Sequence, residues 1–295
     1  MKFGICIPNF GNLASVSAIK ASAEAAEESG LDSIWVTDHL VVPSSMRSPY
    51  GTTYEIMSTL GYLASITNRL ILGSSALILP LRNPIVVAKQ AATIDQLSNG
   101  RLVLGVGFGW LIDEFNYLKA DYKHRYSAVK AGVRLIRSLW LDDPVNYSDG
   151  VYNIKEALAD PKPIQKPSIP IYIAGNTRRA FEIAATVGDG WHPVGLSPEE
   201  VAQTMETIPS LRSSNKFEVV LRSPFKLGGR ITYRGASNRS MYTIQGTEKE
   251  IVESIQRFKE SGVTHLVMNI ISDSIDDYIN SLGFIGKILS PIFRK

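Results

Sequence analysis

The sequence alternates short apolar segments with segments of helical periodicity along nearly its whole length. Each apolar segment is followed by a helical pattern, and two of these patterns end at a glycine, Gly30 and Gly100, as helices commonly do. This alternation predicts repeated βα units around a parallel sheet whose strands are buried on both faces. The apolar segments lie at residues 3–8, 33–38, 69–79, 101–107, 169–175, 190–194, 217–223 and 265–271.

Eight βα units in 295 residues predict an α/β fold of the (β/α)8 TIM-barrel type, which takes roughly 250 residues before insertions. A doubly wound sheet is the alternative architecture. The long connections 140–168 and 222–246 are interpreted as insertions, and the first contains a hairpin-like pattern. Because no linker interrupts the rhythm, residues 1–295 are expected to form a single domain.

Composition limits the partners and the compartment that we expect. The 31 basic and 28 acidic residues are interspersed and give a formal net charge of +3, which argues against a nucleic-acid partner. The N-terminal apolar run is too short for a signal peptide, and no stretch reaches the about 18 apolar residues of a membrane span. The single cysteine, Cys6, fits a reducing compartment. The sequence therefore predicts a cytoplasmic protein with no membrane partner.

Polar residues at the carboxyl ends of the predicted strands are the candidates for chemistry. Asp38 and His39 are the strongest pair, because a carboxylate beside an imidazole can fix its tautomer and tune its proton affinity. A loop cap and a structural histidine are the equally good alternative. For His192, next to Trp191, packing is the better explanation. No histidine or cysteine spacing fits a metal site, and the Gly-x-Ser-x-Gly nucleophile motif does not occur.

Two segments could bind an anion. In IAGNTRRA, residues 173–180, a capped helix N-terminus would direct free N–H groups at a phosphate, although an ordinary helix cap is the commoner outcome. The connection 222–246 has no acidic residue, so it is either a lid over an anionic ligand or a solvated loop. Its cations are Arg222, Lys226, Arg230, Arg234 and Arg239.

The glycine-rich segment RLVLGVGFGW at 101–110 is not a dinucleotide fingerprint, because Trp110 stands where the third glycine is required. Together with FGICIPNFG, AEESGLDSIWVTDHL, IYIAGN, GDGWHPV and the rest of 69–115, it resembles the luciferase-like monooxygenase superfamily of flavin and deazaflavin oxidoreductases. Within that superfamily the chain is most similar to F420-dependent oxidoreductases. The matching segments extend over roughly residues 1 to 195.

The resemblance implies a bacterial luciferase-like barrel that binds F420, or alternatively FMN, at its carboxyl-terminal mouth. It places His39 beside the ring, donating or stabilising a proton, with Asp38 orienting it. It implies a non-prolyl cis peptide bond between Ala76 and Leu77 behind the ring. The residues implied along the cofactor's side chain are Val106, Gly107, Phe108 and Gly109, and those around its phosphate are Ala174, Gly175, Asn176 and Thr177.

Trp110 departs from the family's sugar-phosphate dehydrogenases, in which a glutamate that donates a proton holds this place. An indole cannot act as that acid, so Trp110 is expected to form an apolar wall for a hydrophobic or carbonyl-bearing substrate. Glu114 is a candidate substitute acid. His192 completes the residues assigned to the substrate pocket.

Three functions remain open at this point. The first is hydride transfer between the C5 of reduced F420 and a small organic substrate, and the glutamate tail of F420 makes the basic connection 222–246 favour it. The second is an FMN-dependent monooxygenase that uses oxygen, and the third a non-catalytic flavin-binding barrel. The resemblance further implies a homodimer formed by the helices after the second and third strands, with Ile85, Val86 and Ala92 as candidate contacts.

Overall fold

The computed structural model of the chain describes residues 1–208, 217–235 and 239–293. Its strands are β1 Lys2–Cys6, β2 Ser33–Val36, β3 Ile71–Ser74, β4 Leu77–Ile78, β5 Leu102–Gly107, β6 Val145–Ser148, β7 Asn153–Ala157, β8 Ile171–Ala174, β9 Gly190–His192, β10 Glu218–Leu227, β11 Ile244–Gly246 and β12 His265–Ile270. Its α-helices are α1 Val16–Glu28, α2 Arg47–Tyr50, α3 Ile56–Ile66, α4 Pro84–Leu97, α5 Ile112–Tyr117, α6 Arg125–Leu141, α7 Arg178–Val187, α8 Pro198–Glu206, α9 Glu248–Glu260, α10 Ile275–Phe284 and α11 Ser290–Phe293.

The parallel strands close into a barrel in the order β1, β2, β3, β5, β8, β9, β10, β12, and β12 returns to β1. The third position is shared by two short strands, since β3 pairs with β2 and β4 pairs with β5. The TIM barrel predicted from the sequence is thereby confirmed, and the alternative of an open doubly wound sheet is wrong. Closure brings the carboxyl ends of all the barrel strands to one mouth.

Two apolar layers hold the barrel. Alternate residues of a strand point to opposite faces, so one set fills the inside of the barrel and the other packs against the helices. The inner set, with Trp35 fully buried, consists of Cys6, Trp35, Val103, Tyr172, Val220 and Val267. Since Cys6 is one of these core side chains, it acts as a small apolar residue of the barrel interior.

The two predicted insertions differ in outcome. The first contains the expected hairpin, formed by β6 and β7 in antiparallel pairing. The second is shorter than predicted, because β10 continues to Leu227 and β11 begins at Ile244. Residues 224–227 stay in the sheet because Pro224 and Phe225 pair with β12, while Phe225 to Leu227 pair with β11.

The surface of α4 bears on the predicted dimer contacts. On α4, Ile85 and Val86 are exposed, but Ala92 is buried and cannot belong to a dimer contact of the folded chain. The homodimer itself stays a prediction. Among the described residues, no helix is both long and apolar enough to cross a membrane.

Gly105 is predicted to be indispensable to the barrel. A Cβ added there would lie 2.0 Å from the backbone oxygen of Ser74, so the β3–β5 contact would have to open. We expect Gly105→Ala to lower the free energy of unfolding by about 2 kcal/mol or more. The control is Gly61→Ala in α3, where an added Cβ meets nothing within 4 Å, and where alanine should stabilise the helix by about 0.5–1 kcal/mol. Urea denaturation of both variants checks the prediction, and equal stabilities would contradict it.

Candidate functional site

A cavity of about 470 Å³ opens at the carboxyl-terminal mouth of the barrel. Its size lies in the range of small-molecule and cofactor sites. Residues from the ends of β2, β3, β5, β8, β9, β10 and β12 contribute to its walls, as expected for this fold. The lining residues are Thr37, Asp38, His39, Tyr50, Ser75, Ala76, Ile78, Gly107, Phe108, Gly109, Trp110, Tyr126, Ala174, Gly175, Asn176, Thr177, Val194, Arg222, Pro224, Tyr233, Gly235, Arg239, Met241 and Asn269.

Most of the residues predicted for the site line this cavity. Those that do so are Asp38, His39, Ala76, Gly107, Phe108, Gly109, Trp110, Ala174, Gly175, Asn176 and Thr177. Four do not. Leu77 and Val106 are fully buried in the apolar layer between strands and helices, and Glu114 and His192 lie behind the wall in contacts described below.

The cis peptide bond precedes the predicted position by one residue. It joins Ser75 to Ala76, whereas the bond from Ala76 to Leu77 was expected. Ser75 N still donates to Val36 O at the end of β3, and Leu77 already pairs with Val106 in β4. The irregular backbone therefore falls between these two paired positions.

His39 is held by Glu114. The His39 ring nitrogen Nδ1 lies 3.0 Å from Glu114 Oε2, and the other carboxylate oxygen accepts hydrogen bonds from the Leu40 and Val41 backbone N–H groups. A carboxylate can only accept, so Nδ1 carries the hydrogen. This leaves Nε2 of His39, which lines the cavity, as the nitrogen available for proton transfer.

Glu114 is unsuited to the role of acid that the sequence suggested. Burial would raise its pKa, but hydrogen bonds from His39, Leu40 and Val41 outweigh burial and lower the pKa below its usual value. Its side chain is 1% exposed and faces His39 rather than the cavity. In the structure its carboxylate therefore holds the His39 ring and the backbone of residues 40–41.

Asp38 does not orient His39, contrary to the expectation. Arg82 Nη2 donates to Asp38 Oδ1 at 2.7 Å, and Ile78 N donates to Asp38 Oδ2 at 2.9 Å. Consecutive residues of an extended segment point in opposite directions, so the two neighbours find different partners. Arg82 also binds Glu55 at 2.9 Å, which fixes α3 to the loop after β4.

His192 is a structural residue of the barrel interior and not a wall of the substrate pocket. It is fully buried, it stacks on Trp35 at 5.2 Å between ring centroids, and its Nδ1 donates to Val220 O. Its Nε2 then accepts from Ser75 Oγ, 2.8 Å away. Ser75 lines the cavity and His192 lies behind it, in the barrel interior, so packing explains the place of His192.

The loop after β8 leads into α7, and the N-terminus of this helix has the geometry of an anion site. Thr177 caps the helix by accepting from Ala180 N, so the preceding N–H groups of its first turn stay free for a ligand. Asn176 exchanges two hydrogen bonds with Val194 and fixes this loop to the strand end of β9. Its side chain is thus structural.

Aromatic rings and cations continue the wall beside Thr177. Tyr126 stacks on Phe108 at 4.4 Å between centroids, and its hydroxyl is 3.4 Å from Thr177 Oγ1. The guanidinium carbons of Arg125 and Arg179 lie 4.9 and 4.7 Å from the centre of the Tyr126 ring. Positive charge therefore flanks the helix N-terminus.

Tyr50, which sequence reasoning missed, connects His39 with the substrate side. Its ring centroid is 4.5 Å from that of His39 and 5.9 Å from that of Trp110. A second cavity of about 430 Å³ shares His39 and Tyr50 and is lined by the connection after β2. Trp110 lies as the resemblance implied, as part of an aromatic wall. No local sequence pattern marks Tyr50, because its contact with His39 depends on the path of the connection after β2.

The predicted basic lid is only partly realised. Arg222 and Arg239 line the cavity, and Met241 and Tyr233 cover it from the same connection. Arg239 pairs with Glu200, and Arg230 with Glu250. Both acids come from outside the connection, so its lack of acidic residues does not leave these cations unpaired. Within the described ranges, no cluster of three or more His, Cys, Asp or Glu side chains could hold a metal ion.

The fold and the cavity define a TIM-barrel protein with a deep ligand site at the carboxyl ends of its strands. The chain belongs to the luciferase-like monooxygenase family, whose model matches residues 1–228. It is 35% identical over 173 residues to the F420-dependent glucose-6-phosphate dehydrogenase of Amycolatopsis mediterranei. That alignment covers 57% of this chain and 50% of the relative, so the chain matches about half the length of this curated protein.

Solved structures share the whole fold. An F420-dependent secondary alcohol dehydrogenase in complex with an F420-acetone adduct has a TM-score of 0.82 at 18% identity, covering 100% of this chain and 99% of that one. The monooxygenase RslO1 from Streptomyces bottropensis has a TM-score of 0.81 at 21% identity, covering 99% and 100%. At these identities the likeness shows the fold.

His192 makes stability depend on pH. Burial is the main cause that lowers its pKa to about 4, from 6.5, so the unfolded chain takes up a proton that the folded chain does not. The free energy of unfolding therefore falls as the pH drops from about 6.5 to 4. Between pH 7 and 5 we expect His192 to account for a loss of about 2 kcal/mol.

Denaturant unfolding gives the free energy of unfolding at pH 7 and pH 5. We expect the difference between the two pH values to be smaller in His192→Gln than in the parent. His124→Gln is the control, because His124 is 65% exposed. An unchanged pH dependence in His192→Gln would contradict the prediction.

Proposed function

We propose that this protein is an oxidoreductase that uses F420 for hydride transfer to or from a small organic substrate. The observation that carries the proposal is the position of His39, with its tautomer set by Glu114, between the cavity of about 470 Å³ and the adjoining one of about 430 Å³. The F420-dependent relatives and the secondary alcohol dehydrogenase with the same fold support the choice of cofactor.

The described residues fit a deazaflavin with a phosphate-bearing side chain. Gly107 leaves the wall after β5 without a side chain, and a Cβ there would lie 3.3 Å from that of Ala76. The capped N-terminus of α7 offers the phosphate site. Arg125 stacks on Tyr122 and Tyr126, and its Nε is buried without a partner in the described parts of the chain.

When bound, F420 supplies the hydride chemistry. The chain's own residues supply orientation, exclusion of water and a proton path. Glu114 keeps the hydrogen of His39 on Nδ1, so Nε2 can take a proton from an alcohol or, once protonated, give one to a carbonyl. Tyr50 and Trp110 shield this nitrogen with apolar surface. Asp38, neutralised by Arg82, holds the backbone of Ile78 in the wall opposite.

The substrate class differs in our proposal from that of the glucose-6-phosphate dehydrogenases. Trp110 brings an indole to the wall beside His39. The resemblance implies that sugar-phosphate dehydrogenases have a proton-donating carboxylate at this place, and an indole cannot replace it. The only carboxylate nearby among the described residues that contacts His39 is Glu114, whose pKa is lowered. A small apolar or carbonyl-bearing molecule therefore fits better than a sugar phosphate.

The cofactor is tested by binding. Fluorescence titration of the purified protein with F420 and with FMN should give F420 the lower Kd by about tenfold or more, because positive charge flanks the helix N-terminus and F420 has an anionic glutamate tail. Micromolar binding of FMN without binding of F420 would overturn the choice and favour an FMN-dependent monooxygenase instead.

Catalysis is tested with His39→Ala. In oxidation of reduced F420 by a panel of ketones and aldehydes, we expect turnover to fall by about 10²–10⁴-fold while the Kd of F420 changes little. Equal turnover of parent and variant on every acceptor would favour a non-catalytic barrel. His124→Ala, a change of an exposed histidine, is the control and should leave turnover intact.

Glu114→Gln tests the positioning of His39 separately. The amide presents an NH₂ group where Glu114 has a second acceptor, so either the His39 bond or the backbone bonds lose their geometry. We expect kcat to fall by about 10–100-fold with an unchanged F420 Kd. The pH profile of kcat should also shift when the NH₂ group faces His39, because Nδ1 then accepts and the hydrogen moves to Nε2. A variant with the parental kcat and profile would show that Glu114 only supports the loop.

A further inference from the structure

Arg222 lines the cavity, and among the described residues its guanidinium donates only to neutral oxygens. Its Nη1 donates to Thr37 Oγ1 at 3.1 Å and to Ser75 O at 2.8 Å, and its Nη2 lies 3.4 Å from Asn269 Oδ1. Among residues 1–208, 217–235 and 239–293, no carboxylate lies within 4.0 Å of it. These contacts fix the guanidinium at the ends of β2, β3 and β12 without neutralising it.

Part of the guanidinium remains available to a ligand. Arginine has five N–H donors, and the bonds above leave Nε–H and one hydrogen of Nη2 without a partner in the described chain. Arg222 is half-buried and lines the cavity. Nε–H and an Nη–H together form the fork that matches both oxygens of a carboxylate.

The surroundings of Arg222 link it to the substrate side of the cavity. Its guanidinium carbon lies 5.8 Å from the centre of the Phe10 ring, and Phe10 stacks on Tyr50 at 5.7 Å. Tyr50 in turn contacts His39 at 4.5 Å. Among the described residues, the side chain of Arg222 has no hydrogen bond to the N-terminus of α7, although both lie at the same cavity.

The other cation in the cavity wall is compensated. Arg239 pairs with Glu200 at the surface, whereas Arg222 keeps its full charge in a partly buried place. Taking a charge out of water is costly unless an opposite charge joins it. An anionic ligand would offset this cost.

From this geometry we infer that Arg222 binds the carboxylate of an organic acid whose apolar body lies against Tyr50 and Trp110, beside His39. The inference rests on the proposed function, because it names the substrate class of the same site. A carbonyl or alcohol carbon in such an acid would lie near His39 while Arg222 anchors the carboxylate. Arg222 thereby selects acids over neutral molecules of the same shape.

Trp110 provides the readout, since Trp35, Trp140 and Trp191 are buried and Trp110 lines the cavity. Iodide and acrylamide, an anionic and a neutral quencher, are compared on the cofactor-free protein. We expect Arg222→Gln to lower the iodide quenching constant by about twofold or more and to leave the acrylamide constant unchanged. Arg257→Gln removes an equal charge from an exposed ion pair on α9 and should change neither constant. Equal iodide quenching in Arg222→Gln and parent would overturn the inference.

Benzoate and benzamide then test for the carboxylate. We expect benzoate to protect Trp110 from iodide at about tenfold lower concentration than benzamide in the parent, and this difference to vanish in Arg222→Gln. Arg222→Lys keeps the positive charge but lacks the two-pronged donor geometry, so it should retain only part of the difference between benzoate and benzamide. Benzoate and benzamide acting equally on the parent would refute carboxylate recognition.

An F420 titration of Arg222→Gln separates substrate from cofactor. We expect a Kd within about threefold of the parent, since the anion-binding helix of α7 is untouched. A Kd raised by tenfold or more would assign Arg222 to the cofactor and overturn the inference. Failure of the parent to bind F420 would overturn the proposed function instead, and the quenching result would stand apart from it.

Discussion

Closure of the parallel barrel between β9 and β10 is the constraint on which the site depends. The two strands meet at Gly190 opposite Glu218 and Trp191 opposite Val219. A Cβ on Gly190 would lie 2.5 Å from Glu218 O, so the approach requires glycine. Because all barrel strands run the same way, this seam brings Arg222 across the mouth to residues of β2, β3 and β12. An open sheet with the same strands would leave them far apart.

The fold followed from the sequence because it is encoded locally. Apolar runs and helical periods repeat in order, and this rhythm predicts repeated βα units around a parallel sheet. Closure into a barrel depends in addition on the pairing of β9 with β10. The residues at the mouth followed as well, because the end of each run marks a strand end, as at Asp38, Gly107 and Gly175. The second insertion was overestimated because Gly228 and the arginines around it hid the strand that precedes them.

The side-chain partners could not be obtained in this way. His39 bonds Glu114, 75 positions further on, and Asp38 bonds Arg82, 44 further on. Sequence adjacency suggested that Asp38 and His39 act together, but neighbours in an extended chain point apart. Tyr50 reaches the site through loop geometry, which has no periodic signal. Arg222 was predicted as a cation that could bind an anion, but its partners Thr37, Ser75 and Asn269 could not be predicted. The cis peptide bond lies one residue before the expected position, between Ser75 and Ala76.

Among the described residues, two regions of the site carry positive charge or free N–H groups without a carboxylate partner. Arg82 and Arg239 are neutralised by Asp38 and Glu200, and Glu114 is saturated by His39 and two backbone N–H groups. What remains is the N-terminus of α7 at one end and Arg222 beside Phe10 and Tyr50. We propose that a cofactor and a substrate, each with one anionic group for one of these regions, would bind with Nε2 of His39 between them. Because hydrogen bonds lower the pKa of Glu114, we propose His39 rather than Glu114 as the group that exchanges a proton with the substrate.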